Sequence, residues 1–178
     1  MTHPTHKYVP QNVASKFRKQ AVQVWIIATG VVVGWVALIL FAPVAAANGF
    51  QSFSAPIYTF FGSICHQMPE RSINLDGHPV AVCSRCLGVY FGLFAGFIIC
   101  PLWRKIDDIE PLPRFWLFLS LIPISLDWSL TLFGIWENTH ISRSVTGFIL
   151  GIACATFIIP ALVEIFRNLS RKTETRNE

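Results

Sequence analysis

Charge is what this 178-residue sequence has least of: Asp, Glu, Lys and Arg make up 13% of it, about half of the roughly 25% usual in soluble domains. That deficit excludes an ordinary water-solvated globule. A net charge of +4 would invite nucleic acid only if the basic residues gathered on a soluble face, and they do not. Low-complexity tracts and internal repeats are absent, which excludes a repeat array. A His-Glu-x-x-His motif, a Walker motif and a dinucleotide-binding fingerprint are also missing, so the common soluble-type active sites are excluded.

What fills the sequence instead is apolar. The hydrophobic fraction is 53% and mean hydropathy is +0.51, in a length that suits one domain. The basic residues flank long apolar runs, the pattern of an integral membrane protein. Four runs are long enough to cross: about Val22 to Phe41, Leu87 to Trp103, Phe115 to Phe133 and Val145 to Phe166. Each approaches the roughly 17–25 residues that a spanning helix needs. A further aromatic stretch, Gly49 to Ile64, is broken by Pro56 and Gly62; it is either a fifth span or an interfacial, partly re-entrant segment.

Charge separates these two possibilities. With four spans and the N-terminus inside, Lys7, Lys16, Arg18, Lys19, Arg104, Lys105, Arg114, Arg167, Arg171, Lys172 and Arg176 face the cytoplasm, and only Arg71, Arg85 and Arg143 lie outside. Five spans would divide the fourteen basic residues evenly. The positive-inside rule therefore favours an all-α bundle of four spans in the cell membrane, with both termini cytoplasmic. The first run is followed by PVAAANG, which resembles a signal-peptide cleavage site. Its length exceeds the roughly 7–15 apolar residues of a signal peptide, so an uncleaved anchor is expected. The expected organisation is a cytoplasmic tail over 1–20, a single bundle domain over 21–167 with an outer Cys/His island at 65–88, and a cytoplasmic tail over 168–178 whose end, RKTETRNE, is solvated and frayed. Glycines recur four apart at Gly30 and Gly34, at Gly88, Gly92 and Gly96, and at Gly147 and Gly151. Such ridges let helices approach closely in lipid, and they predict a compact bundle with the second span central.

The outer side then carries a polar island, CHQMPERSINLDGHPVAVCSRCLG, from Cys65 to Gly88. Cys65-His66 and Cys83-x-x-Cys86 form two ligand-like halves at ordinary zinc spacing. Three thiolates and one imidazole, from His66 or alternatively His78, would complete a Cys₃His zinc site. Redox chemistry competes, because an outer compartment is oxidising. Cys83 and Cys86 stand at the start of a membrane helix beside Arg85, where the helix dipole and the guanidinium favour a thiolate. That arrangement is similar to the four-helix, quinone-dependent thiol oxidoreductases of the disulfide-forming and vitamin K epoxide reductase type. Those present a second outer cysteine pair, whereas only Cys65 remains here. A plain structural disulfide with a spare thiol is the third possibility. Cys100 and Cys154 lie within spans and read as small hydrophobes.

The strings CHQMPERS, CSRCLGVYFG and SLDWSLTLFGIWENTHISRSVTGFILG, spanning roughly Phe60 to Gly151, resemble a family of small membrane proteins catalogued as domain of unknown function number two thousand and eighty-five. Its pattern is Cys-His-Gln, Cys-x-Arg-Cys-x-Gly, an intramembrane Asp and Arg-x-x-Thr-Gly. Many members have Gly after the Asp and Asn-x-x-Arg near the last helix, where this chain has Trp128 and Asn138-x₄-Arg143. The resemblance implies no reaction.

Asp127 lies within the third span, four residues after Pro123. A carboxylate in the membrane needs a partner and marks a functional candidate. Arg143, at the entrance of the fourth span, is the expected partner across a helical hairpin, with Glu137 and His140 in the intervening loop. The pair either locks two helices or belongs to a polar pocket. Ser84, Glu70 and Arg71 are expected to be solvated or to cap backbone. Three function classes follow: a zinc-capped polar pocket for binding or transport, a thiol oxidoreductase using Cys83 and Cys86 with quinone, and a structural or assembly factor. The bilayer is the expected partner in all three.

Overall fold

The computed structural model describes residues 11–103, 106 and 112–174. Of the basic residues counted on the inner face, Lys7, Arg104, Lys105 and Arg176 lie outside these. The apolar runs form α1 (Gln11–Ala47), α3 (Ser84–Trp103), α4 (Phe115–Leu132) and α5 (His140–Glu174), and all four are long and apolar enough to cross a membrane. The aromatic stretch forms α2 (Gln51–Gly62), which runs through Pro56 and stops at Gly62. Its 12 residues reach about 18 Å, well short of the ~30 Å hydrocarbon core. The bundle therefore has four spans, and α2 is an accessory helix.

Helix ends differ from the sequence expectation at both tails. α1 begins at Gln11 and continues through Pro43 to Ala47, and α5 continues to Glu174, so the helices run into the stretches expected to be tails. A proline is tolerated within a membrane helix when neighbouring groups satisfy the freed backbone. α1 ends where glycine permits a reversal: Gly49 has φ +78°, Gly49 N donates to Ala46 O at 3.1 Å and Phe50 N to Ala45 O at 2.8 Å. These two bonds cap the last carbonyls in a Schellman arrangement. The chain then folds α2 back against α1, where buried Ser54 donates from Oγ to Ala42 O at 3.1 Å.

The tightest seam joins α3 to α5. A Cβ at Gly88 would collide with the Ser144 backbone, one at Gly92 with Phe148, and one at Gly151 with Val89. Below the seam, Phe97, Ala155 and Ile159 form a core joined by Trp25, Ala28 and Val32 of α1. Trp25 Nε1 donates to Phe97 O at 2.8 Å, tying α1 to α3. α5 packs on all three other spans, most closely on α3 and least on α1, whereas α3, expected to be central, packs mainly on α5 and to a lesser degree on α1. The large apolar side chains exposed along α1 and α4 are the surface that lipid covers.

The island folds as a cap over the α1–α2 hairpin. A short 3-10 turn, Pro69–Arg71, leads to a hairpin of β1 (Asn74–Leu75) and β2 (His78–Pro79). Asp76 and Gly77 between them both have positive φ, the Asp-Gly turn that suits a two-residue hairpin. Val80, Ala81 and Val82 are almost fully buried with Phe61, Cys65, Ile39 and Ala42. Beneath them Trp35 meets Phe60, Phe61 and Tyr90, at ring-centroid distances of 5.5, 5.2 and 5.9 Å.

Candidate metal centre and polar pocket

Cys65 follows the end of α2, Cys83 immediately precedes α3, and Cys86 lies in its first turn. Folding the cap onto α2 brings the three sulfurs within 4.8 Å of one another. Cys65 is buried and the other two are half-buried. The Cys83 amide donates to Cys65 Sγ at 3.2 Å, a backbone bond that holds one half of the site against the other. His66 is exposed and His78 half-buried in β2; neither joins the group of converging ligand atoms.

Gln67, next to His66, fixes the geometry. It adopts a left-handed backbone, φ 45°, which is unfavourable for a residue with a Cβ and persists only when surroundings impose it. Here its side-chain amide donates to Tyr58 O at 2.8 Å and to Ala81 O at 2.7 Å. One side chain thus clamps α2 to the segment leading into Cys83. The Tyr58 hydroxyl donates to Pro79 O, a second clamp on the same segment.

The Cys83 thiol is pulled down to about 5. The hydrogen bond from the Cys86 thiol is the largest cause; burial opposes it, while amides of Cys86 and Arg85 and the Cys65 thiol reinforce it. Hydrogen bonds to the charged form favour it, so the cluster favours a thiolate at Cys83. A thiolate there can ligate a soft cation or attack a disulfide.

The polar residues assemble directly beneath. Asp127, 8% exposed, forms its ion pair with Arg85, Nη2 to Oδ2 at 2.7 Å. The expected partner, Arg143, is one step removed: Asn138 donates from Nδ2 to Asp127 Oδ2 at 2.9 Å, and Arg143 donates from Nε to Asn138 Oδ1 at 2.8 Å, with Nη2 also bonded to it. The physical reason lies in the loop. Asn138 occupies the descent from α4 to α5 and fills the space between carboxylate and guanidinium, while the α3–α5 seam carries Arg85 against α4. Ser84, expected to be solvated or to cap backbone, is fully buried; it bonds His140 Nδ1 at 2.8 Å and donates to the backbone Arg71 O at 2.9 Å. Ser144 donates to Ser84 O at 3.2 Å, so the starts of α3 and α5 are tied side by side. Glu137 is exposed in the loop.

Asn138 and Gln67 were missed as site residues in sequence. Both stand in the resembled family's pattern, Gln67 as the Gln of Cys-His-Gln and Asn138 ahead of Arg143, and that pattern was the signal that could have found them, since five residues give no helical relation. The structure also contains no disulfide among Cys65, Cys83 and Cys86.

Comparison with known proteins adds a lineage. The family described as "Predicted membrane protein (DUF2085)" matches residues 65–157, from the first island cysteine into α5. "Uncharacterized protein MJ1492" of Methanocaldococcus jannaschii is 38% identical over 126 residues, covering 70% of this chain and 81% of that protein. An "Uncharacterized protein" of Methanothermobacter thermautotrophicus is 36% identical over 96 residues, 53% of this chain and 84% of the relative. No solved structure matches.

Proposed function

Because the chain belongs to the DUF2085 family of predicted membrane proteins, whose description carries no reaction, we propose a function from its site: an outward-facing zinc centre on Cys65, Cys83 and Cys86 caps a polar intramembrane pocket used for binding or transport. The convergence of three sulfurs within 4.8 Å carries this reading. The donor set suits the ion. Tetrahedral zinc holds thiolates at about 2.3 Å, which sets sulfurs about 3.8 Å apart, and the cluster lowers the Cys83 thiol toward the thiolate form that zinc needs. His66 and His78 lie outside the converging group, so the three thiols are the donors that would hold the ion, and a fourth would have to come from elsewhere. Zinc would supply cross-linking between α2 and α3 and a Lewis-acidic position at the pocket mouth. The chain's own residues hold the lid in place through Gln67 and Tyr58, and keep one carboxylate charged in the membrane through Arg85.

The depressed Cys83 thiol favours a second reading, a thiol–disulfide oxidoreductase in which a partner dithiol exchanges with a Cys83–Cys86 disulfide and leaves as a disulfide, and the reduced Cys83–Cys86 pair then passes two electrons and two protons to a quinone, which becomes quinol. Metal analysis of the purified protein separates the two. One zinc per chain, lost in Cys65→Ser, Cys83→Ser or Cys86→Ser, supports the metal centre. Metal-free protein whose Cys83–Cys86 pair exchanges two electrons with quinone replaces it. Membrane-impermeant thiol reagents on intact cells, after chelation and reduction, should reach Cys83 and spare Cys100; labelling only after permeabilisation would reverse the orientation.

A further inference from the structure

The joined starts of α3 and α5 hold more positive charge than their neighbours balance. Arg85 is committed to Asp127 through Nη2, but its Nε is buried with no hydrogen-bond partner. Arg143 is held by Asn138 through Nε and Nη2. The Arg71 guanidinium is exposed and bonds nothing among the described residues. Arg143 lies within the positive fields of Arg71 and Arg85, which the negative fields of Asp127 and Cys83 oppose. Glu70 and Glu137 are exposed and form no ion pair with these arginines among the described residues. Among the described residues, the carboxylate paired with any of these three guanidiniums is Asp127 alone, and it is paired through Arg85.

We propose that Arg71, Arg85 and Arg143 bind a phosphate group at the joined starts of α3 and α5. A guanidinium is a planar fork of donors matched to phosphoryl oxygens and remains charged at any working pH. Several such forks at one end of the bundle suit a tetrahedral oxyanion of more than one charge better than a flat, singly charged carboxylate. Two helix starts tied by the Ser84–His140 bond add partial positive charge from the same direction. The ligand is either a lipid headgroup or a soluble phosphate, since the site lies at the island end of two spans. This inference rests on the pocket half of the proposed function and is independent of the zinc half.

The test uses the full-length protein in uncharged detergent, titrated calorimetrically with inorganic phosphate and separately with short-chain phosphatidylglycerol, with zinc measured on the same samples. Saturable binding of phosphate alone identifies a soluble ligand, and binding only of phosphatidylglycerol identifies a headgroup; both support the site. Arg71→Gln should weaken binding about tenfold or more, since charged hydrogen bonds of this kind carry that much, with an unchanged melting temperature because Arg71 has no partner to lose. Arg71→Lys keeps the charge without the fork and should fall between. Saturable binding of neither probe, or a folded Arg71→Gln protein that binds as tightly as the parent, overturns the proposal. Zinc without phosphate binding removes this inference and leaves the metal centre; phosphate binding without zinc does the reverse.

Discussion

Two glycine ridges with the same sequence spacing meet different fates. Gly88 and Gly92 on α3 and Gly147 and Gly151 on α5 meet so closely that added Cβ atoms strike backbone, and one at Gly96 strikes the Ala155 Cβ. Gly30 and Gly34 on α1 have nothing within 4 Å of where a Cβ would stand. A small-residue spacing states that close approach is possible; only a complementary surface makes it happen. α4 supplies a second contrast. It has no glycine ridge and joins the bundle through a buried Arg85–Asp127–Asn138–Arg143 chain. One helix pair is held by shape and the other by polar pairing, as interhelical association in lipid allows.

The sharpest break of that comparison is Gly92→Leu. Its Cβ would collide with Phe148 backbone on one side of a seam that cannot relax, so thermal unfolding in detergent should show a loss of at least about 3 kcal/mol, the upper range for overpacking. Retained stability would mean that the two helices are not in contact there. Arg85→Gln comes next. It strands a buried carboxylate, which costs roughly 3 kcal/mol in comparable cases, whereas replacing both charges by apolar residues of similar volume can be nearly neutral. Arg85→Met with Asp127→Leu should therefore recover most of the lost stability, while abolishing any binding that depends on Arg85. Arg143→Gln should cost less, about 1–2 kcal/mol, since it removes bonds to a neutral Asn138 rather than the ion partner. If Arg143→Gln proves the more damaging variant, the pairing has been assigned to the wrong arginine.

Cys83 adds a measurement that leaves the fold untouched. Its pKa is lowered to about 5, so the thiolate is present above that pH and is lost as pH falls through it. Alkylation of the reduced, metal-free protein at Cys83 should persist down to about pH 5 instead of fading below the usual thiol range near 8.5. A profile that fades near 8.5 would show that the three sulfurs do not share a hydrogen-bonded cluster. The smallest effect belongs to Gly34→Leu. With open space around it, the change should stay within about 0.5 kcal/mol, and a large loss would reveal a neighbour on α1 that the isolated chain does not supply.

Much of the architecture was legible because bilayer thickness acts on sequence directly. A run of about twenty apolar residues has one low-energy solution, so four spans followed from length and hydropathy, and charge asymmetry correctly spoke against a fifth. The three cysteines were legible as a unit from C-x-x-C and zinc-like spacing. His66 was not excluded in sequence, because adjacency to Cys65 does not reveal that its ring lies away from the other sulfurs. The Asp-Gly hairpin at Asp76–Gly77 was readable in principle but stood inside a stretch dominated by ligand-like residues.

By itself the sequence determined the membrane class, the number of crossings and the identity of the thiol donors, since each rests on local composition or short spacing. The tertiary structure alone decided that α5 is the hub, that Arg85 takes Asp127 and that Asn138 separates it from Arg143. Those outcomes depend on which helix faces meet, and the α3–α5 glycine seam sets that by excluding any wider arrangement. A buried charge takes whichever partner the packing delivers, however near another stands in the chain.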